Sequence, residues 1–238
     1  MQIRRFYCPN IPENGAFVSL PESEARHALK ILRLRPGERL LLLDGKGILA
    51  EAELSGTESG GREARCRILG RQLFPEPCPR FRLYVAPPHG KGFDLLLKAA
   101  SELGVARISP ILCRYGIAKP SEVSETWQNV LIAACKQAIN PRLPQLDPPS
   151  DFQKALRIAQ ETSFFGAIPD HPAKPLPQIN AAAADDLALW VGPEGGFAPE
   201  EEEALRQASC QALTLGGCVL RVETAVPALL GMIHGLLK

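Results

Sequence analysis

The chain has no apolar run long enough to cross a bilayer, for which roughly 20 consecutive apolar residues are needed. Its residues 1–7 lead to Pro9 and Pro12 without the apolar stretch of a secretory signal. A cytoplasmic protein with no membrane partner is therefore expected. Paired cysteines are also missing. The seven present are scattered, odd in number and without a C-x-x-C pair, which argues against a disulfide framework and against a zinc site. His27, His89, His171 and His234 stand far apart without ligand spacing, so no metal is expected. A net charge of +1 gives no support to polyanion binding by the chain as a whole. There is no Gly-x-Ser-x-Gly elbow, which removes support for covalent hydrolysis, and no G-x-G-x-x-G fingerprint or P-loop, which weakens phosphate cradling.

What is present is organised in two parts. Through Arg82 the chain carries 14 Lys and Arg against 10 Asp and Glu, and from Leu83 onward 13 against 16. A basic module followed by a mildly acidic one gives weak support for a polyanion partner. Residues 21–32 open with Pro21 and two acids and continue with apolar residues three and four apart, which predicts a helix. Strands are predicted over 40–43, 47–54 and 64–73, separated by Asp44-Gly45 and Gly60-Gly61. Short strands of this kind point to a small barrel. Arg26, Lys30, Arg33 and Arg35 put positive charge on or just after the helix, where a phosphate backbone could meet it or where it forms a solvated face.

Pro75, Pro77 and Pro79 make a stiff linker. The predicted domains are 1–75, a β-rich domain, and 80–238, in which strands at 81–86, 107–112 and 162–168 alternate with helices at 93–103 and 125–138. That alternation predicts an α/β fold with a parallel sheet covered on both faces and ligands at the carboxyl ends of its strands. Two glycine segments fall at such ends. Residues 187–191 read as a buried strand running into Gly192-Pro193-Glu194-Gly195-Gly196-Phe197, after which Pro199 and an acidic run open a helix. Residues 212–215 read as a second strand, followed by Gly216-Gly217 and a helix over 225–237. Glycine lets a ligand approach bare backbone N–H groups, although a glycine-rich turn also serves simply as a turn.

Val191-Gly192-Pro193-Glu194-Gly195-Gly196-Phe197, with Leu215-Gly216 and Leu220-Arg221-Val222-Glu223-Thr224-Ala225, resembles the RsmE family of 16S rRNA uridine N3-methyltransferases in the SPOUT superfamily. Glu24-Ala25-Arg26-His27, Leu32-Arg33, Asp44-Gly45, Lys91-Gly92, Glu102-Leu103-Gly104 and Ile108-Ser109-Pro110 extend the resemblance over nearly the whole chain. It implies a PUA-like RNA-binding barrel over 1–75 and a SPOUT methyltransferase domain over 80–238 with a C-terminal trefoil knot. It also implies a homodimer, with the 225–237 helix a plausible part of the interface, and 16S rRNA, within the small ribosomal subunit, as partner. S-adenosylmethionine would lie against Gly192, Pro193, Glu194, Gly195, Gly196, Leu215, Gly216 and Leu220. Arg221 would offset negative charge on the uracil oxygens, and Glu223 or Glu194 would accept the N3 proton or orient Arg221. Glu223 also fits a cap on the last helix, Arg221 a partner for Glu223, and Glu194 a brace in the loop.

Arg26, Lys30, Arg33, Arg114, Gln137 and Arg142 are the residues expected to meet RNA. Two departures from the family pattern lie among them: Arg114 is followed by Tyr115-Gly116 where the family has Ser, and the Gln-Ser-x-Arg helix end reads Gln137-Ala138-Ile139-Asn140. Ala198 stands where the family has a capping Ser, a change that weakens a helix start by about 1 kcal/mol. Pro227 is tolerable if it lies in the first turn of the last helix. The alternatives to methylation of a 16S rRNA uridine are a related enzyme acting on another RNA and an RNA- or ribosome-binding protein of the same fold without turnover.

Overall fold

A computed structural model describes residues 3–58, 63–168, 186–215 and 217–237. The expected Gly60-Gly61 turn, His171 and Gly216 lie outside them. The chain divides into two compact units, Met1–Glu76 with Ile132–Leu143, and Pro77–Leu131 with Pro144–Lys238.

The first unit holds β1 (Arg4–Tyr7), β2 (Phe17–Ser19), α1 (Glu22–Arg26), β3 (Arg39–Leu43), β4 (Ile48–Glu58) and β5 (Glu63–Leu73). Their pairings run β1-β3-β4-β5-β2, a small mixed sheet in which β1 and β3 are parallel and the rest antiparallel. Alternation turns Leu40, Leu42, Ala50, Ala52, Leu54, Ala64, Cys66 and Ile68 into one apolar core. Asp44 closes the β3–β4 turn through its Oδ1, which accepts from the N–H groups of Lys46 (2.7 Å) and Ile48 (2.8 Å). α1 continues as a single π-helical turn, His27–Ile31, closed by Leu32 N–H donating to the His27 carbonyl at 2.9 Å. Glu24 is buried in this unit and receives Lys136 Nζ at 2.5 Å.

In the second unit come β6 (Arg80–Val85), α2 (Gly92–Glu102), β7 (Val105–Leu112), α3 (Glu125–Ala138, divided between the two units), β8 (Gln145–Leu146), β9 (Ser150–Asp151), α4 (Phe152–Ile158), β10 (Thr162–Gly166), β11 (Asp186–Val191), α5 (Pro199–Gln207), β12 (Gln211–Leu213) and α6 (Val222–Leu236). The sheet order is β12-β10-β11-β6-β7-β8, every pair parallel. Central strands buried on both faces need near-continuous apolar sequence, and Leu187 to Val191 supplies it. On one face Tyr84 and Trp190 stack at 3.8 Å with Phe152 of α4 edge-on to Trp190, and Leu205 of α5 joins the same core. On the other face Phe81 meets His234 of α6 at 4.4 Å. Each fully buried side chain of this size contributes roughly 1.5–3 kcal/mol of transfer free energy.

Where β6, β7 and β10 begin, a polar network ties the strands together. Asp147 accepts from Ser109 Oγ (2.6 Å), Arg107 Nε (2.8 Å) and Arg82 Nη2 (3.2 Å), while Arg82 Nη1 also reaches Glu161 at 2.9 Å. Burial pushes the Asp147 carboxyl up, but the hydrogen bonds from Arg107 and Ser109 and the two guanidinium charges outweigh it and hold it below its ordinary value.

Candidate functional site

The carboxyl ends of β12, β10 and β11 lie side by side, and a cleft opens there with about 560 Å³ of empty space, its open mouth included. Its floor is the strand ends Gly166, Val191 and Leu213. One wall is Gly192, Pro193, Glu194 and Gly196, and the other is Leu215, Val219 and Leu220 with Val222, Ala225 and Leu229 of α6. At three of these places an added Cβ would crowd a neighbour. At Gly166 it would stand 2.9 Å from Leu229 Cδ1, at Gly192 3.0 Å from the backbone N of Phe197, and at Gly196, where φ is +77°, 2.6 Å from Ile168 Cδ1. The lining of leucine, valine and alanine side chains with bare glycine backbone suits an adenine ring, which needs apolar faces and backbone donors and acceptors at its edge.

Of the residues expected to bind cofactor, Gly192, Pro193, Glu194, Gly196, Leu215 and Leu220 line the cleft. Gly195 is in the same turn, exposed, with Tyr115 Cβ 3.6 Å from the position its own Cβ would take. Two further walls had no sequence signal as site residues: the 166–168 segment at the end of β10, and Leu229 from the middle of α6.

The three expected catalytic residues surround the cleft without converging on one point. Glu194 lines it and is exposed. Arg221 is the N-cap residue of α6, exposed, between the lining residues Leu220 and Val222. Glu223 is half-buried in the first turn of α6, its Oε2 3.5 Å from where a Gly92 Cβ would stand. The helix begins at Val222, three residues earlier than expected, so its positive end faces the cleft. Pro227 consequently lies in the second turn, not the first, and leaves the Glu223 carbonyl without its i+4 donor.

Arg26, Lys30 and Arg33 are exposed on and after α1, with Arg33 at φ 54°. Gln137 is exposed, and its backbone carbonyl accepts from Arg5 Nη1 at 2.9 Å. Arg142 is otherwise occupied: Nη2 donates to the Phe74 carbonyl at 2.7 Å, Nε to that of Pro75 at 3.2 Å, and Nη1 reaches Glu76 at 3.5 Å. Arg114 pairs with Glu200 in an exposed ion pair, the kind that solvent screens strongly. The weak cap expected at Ala198 is offset by Glu201, whose buried carboxylate accepts from Ala198 N–H at 2.9 Å and, through its other oxygen, from Arg114 N–H at 2.8 Å. Among the described residues no group of three His, Cys, Asp or Glu side chains could hold a metal ion, and no helix is long and apolar enough to cross a membrane.

Comparison with known proteins gives a consistent picture. The model of an RNA methyltransferase domain matches residues 75–234, and that of an RNA methyltransferase PUA domain matches residues 20–68. The ribosomal RNA small subunit methyltransferase E of Mycobacterium bovis is 31% identical over 237 residues, covering 96% of this chain and 90% of that protein. Its namesake from Synechocystis is 28% identical over 94% of this chain and 74% of its own length. The crystal structure of a ribosomal RNA small subunit methyltransferase E from Neisseria gonorrhoeae bound to S-adenosylmethionine superposes with a TM-score of 0.89 at 32% identity, over 99% of this chain and 98% of that one.

Proposed function

The chain belongs to the ribosomal RNA small subunit methyltransferase E family, and from that membership we propose that it transfers a methyl group from S-adenosylmethionine to N3 of a uridine in 16S rRNA. The observation that carries this reading is the glycine-walled cleft at the ends of three parallel strands. Gly192, Pro193, Glu194, Gly196, Leu215 and Leu220 hold the cofactor there, with Gly195 in the same turn. When bound, the cofactor supplies an electrophilic methyl group on a sulfonium.

The residues of the chain make N3 able to accept it. Uracil N3 carries a proton and is a poor nucleophile until that proton leaves, and the negative charge that develops spreads to the two flanking carbonyl oxygens. Arg221, at the lip of the cleft, and the positive end of α6 offset that charge. Glu194 or Glu223 takes the proton. The N3–H bond breaks as the proton passes to the carboxylate, the N3 lone pair forms the new bond to carbon, and the carbon–sulfur pair returns to sulfur.

The first unit, with exposed Arg26, Lys30 and Arg33, serves as the RNA-holding domain. Gln137 and Arg114 contribute once the Arg114–Glu200 pair opens, whereas Arg142 acts chiefly as a brace for the linker. The protein works as a cytoplasmic homodimer on the small subunit. Most apolar residues of α6 are used inside its own unit, and its exposed stripe of Thr224, Ala228, Gly231 and Gly235 is small enough for a second copy to pack closely. The C-terminal segment, by the same family membership, is threaded as a trefoil knot.

Calorimetric titration with S-adenosylmethionine, followed by mass analysis of nucleosides in 16S rRNA treated with the protein, tests the reading. Binding with new 3-methyluridine is expected. Arg221→Ala should still bind cofactor and lose about 100-fold in rate. Full activity of that variant would remove Arg221 from the chemistry, and a protein that binds no cofactor would favour an RNA-binding role without turnover.

A further inference from the structure

Tyr115 is 48% exposed, and its neighbour Ile117 is 74% exposed, on a loop that the cleft itself does not explain. Tyr115 lies against the cofactor turn. The position of a Gly195 Cβ is 3.6 Å from Tyr115 Cβ, 3.9 Å from Cδ2 and 4.0 Å from Cγ, and Gly195 is flanked on both sides by lining residues, Glu194 and Gly196. The mount is firm. The single carboxylate of Glu201 accepts from Arg114 N–H on the tyrosine loop and from Ala198 N–H beyond the glycine turn, and Gly116 N–H closes the loop onto the Cys113 carbonyl at 3.1 Å. Glu201 is buried at 6% exposure, where a polar group left without partners is costly, so this tie holds the two loops together.

We propose that Tyr115 is the stacking platform for the base that receives the methyl group, a specificity-determining contact held in place by Glu201. The proposal rests on reading the cleft as a methyl-transfer site. N3 lies on the edge that uracil uses for base pairing, so the target nucleotide must be unpaired and presented edge-on to the cleft. Unpaired bases are bound by their faces, on aromatic side chains, which leaves the reactive edge free. A half-exposed ring on a loop tied to the cofactor turn through Glu201 meets that need.

The test compares wild type, Tyr115→Ala and Tyr115→Phe by cofactor titration and by steady-state methylation of small ribosomal subunits that lack the modification. Tyr115→Ala should bind S-adenosylmethionine within about twofold of wild type and raise KM for the subunit by about tenfold or more, the size of one lost stacking contact. Tyr115→Phe should behave as wild type, because the ring and not the hydroxyl carries the contact. An active wild type with an equally active Tyr115→Ala would overturn the assignment alone. So would a Phe variant as impaired as the Ala variant, or an Ala variant whose only defect is weaker cofactor binding or a changed oligomeric state. A wild-type protein that methylates no rRNA would overturn the methyl-transfer reading itself, and the assignment with it.

Discussion

At Gly196 a single added methyl group would meet Ile168 Cδ1 at 2.6 Å from a backbone held at φ +77°. A side chain in that left-handed region costs roughly 1–2 kcal/mol before the clash is counted. At Gly192 the obstacle is backbone, the N atom of Phe197 at 3.0 Å and the carbonyl carbon of Gly196 at 3.2 Å, which cannot rotate away. Gly195 differs, with a nearest neighbour at 3.6 Å and no positive φ. Gly192→Ala and Gly196→Ala should therefore weaken S-adenosylmethionine binding by at least about tenfold, and Gly195→Ala should leave it nearly unchanged, as measured by calorimetry. Undiminished binding in the Gly192 and Gly196 variants would mean that these cavity walls do not hold the cofactor. The motif Gly192 to Gly196 was visible in the sequence as a unit, but the difference among its glycines was not, because it is set by Ile168, Phe197 and Tyr115, which the sequence does not rank as neighbours.

The elements themselves were legible wherever apolar periodicity was strong. The helix at 125–138 and the central strands agree with the structure to within a few residues. Short elements were missed. β1, β2 and the β8–β9 pair are 2–4 residues long, too short to show a period, and α4 was overlooked although Asp151 caps it by accepting from Gln153 and Lys154 N–H groups. The π-helical turn at His27–Ile31 has no sequence signature at all. One element carries visible strain. Beyond the end of α3, Ile139 adopts φ 56°, a conformation that a β-branched residue takes only at a cost and that glycine takes freely. Its side chain is 39% exposed, so little packing is lost by removing it. Ile139→Gly should stabilise the protein by about 1 kcal/mol, read as a rise of roughly 2–4 °C in melting temperature. A fall in melting temperature would show that the side chain contributes more than the backbone conformation costs.

For the whole molecule, the Arg82–Asp147–Arg107–Glu161 network makes one contribution to how the second unit responds to acid. The Asp147 carboxyl is held below its ordinary value. Its contribution is therefore fully present above the unfolded carboxylate value, about 3.9, and is lost as pH falls through the lower folded value. Asp147→Asn should cost about 1–2 kcal/mol near neutrality, because Arg107 and Ser109 lose their charged acceptor while Arg82 keeps Glu161. In urea unfolding followed from pH 7 to pH 3, the gap between variant and wild type should narrow only at the acid end. A gap that stays constant with pH would assign the loss to shape, not charge. None of this network could be found by spacing, since its members come from four separate segments of the chain, and the same is true of the cleft.

The cleft has one further consequence. Its walls come from residues 166–168, 191–196 and 213–229, so no single stretch of the chain can hold the ligand by itself. A molecule bound there contacts only the finished fold and has little affinity for any fragment or unfolded form. By mass action it must then act as a conformational staple for the C-terminal third, adding roughly 2.7 kcal/mol of apparent stability when its free concentration is about 100 times its dissociation constant. The abundance of folded protein in a cell would thus follow the supply of methyl donor, tying the quantity of the enzyme to the resource it consumes.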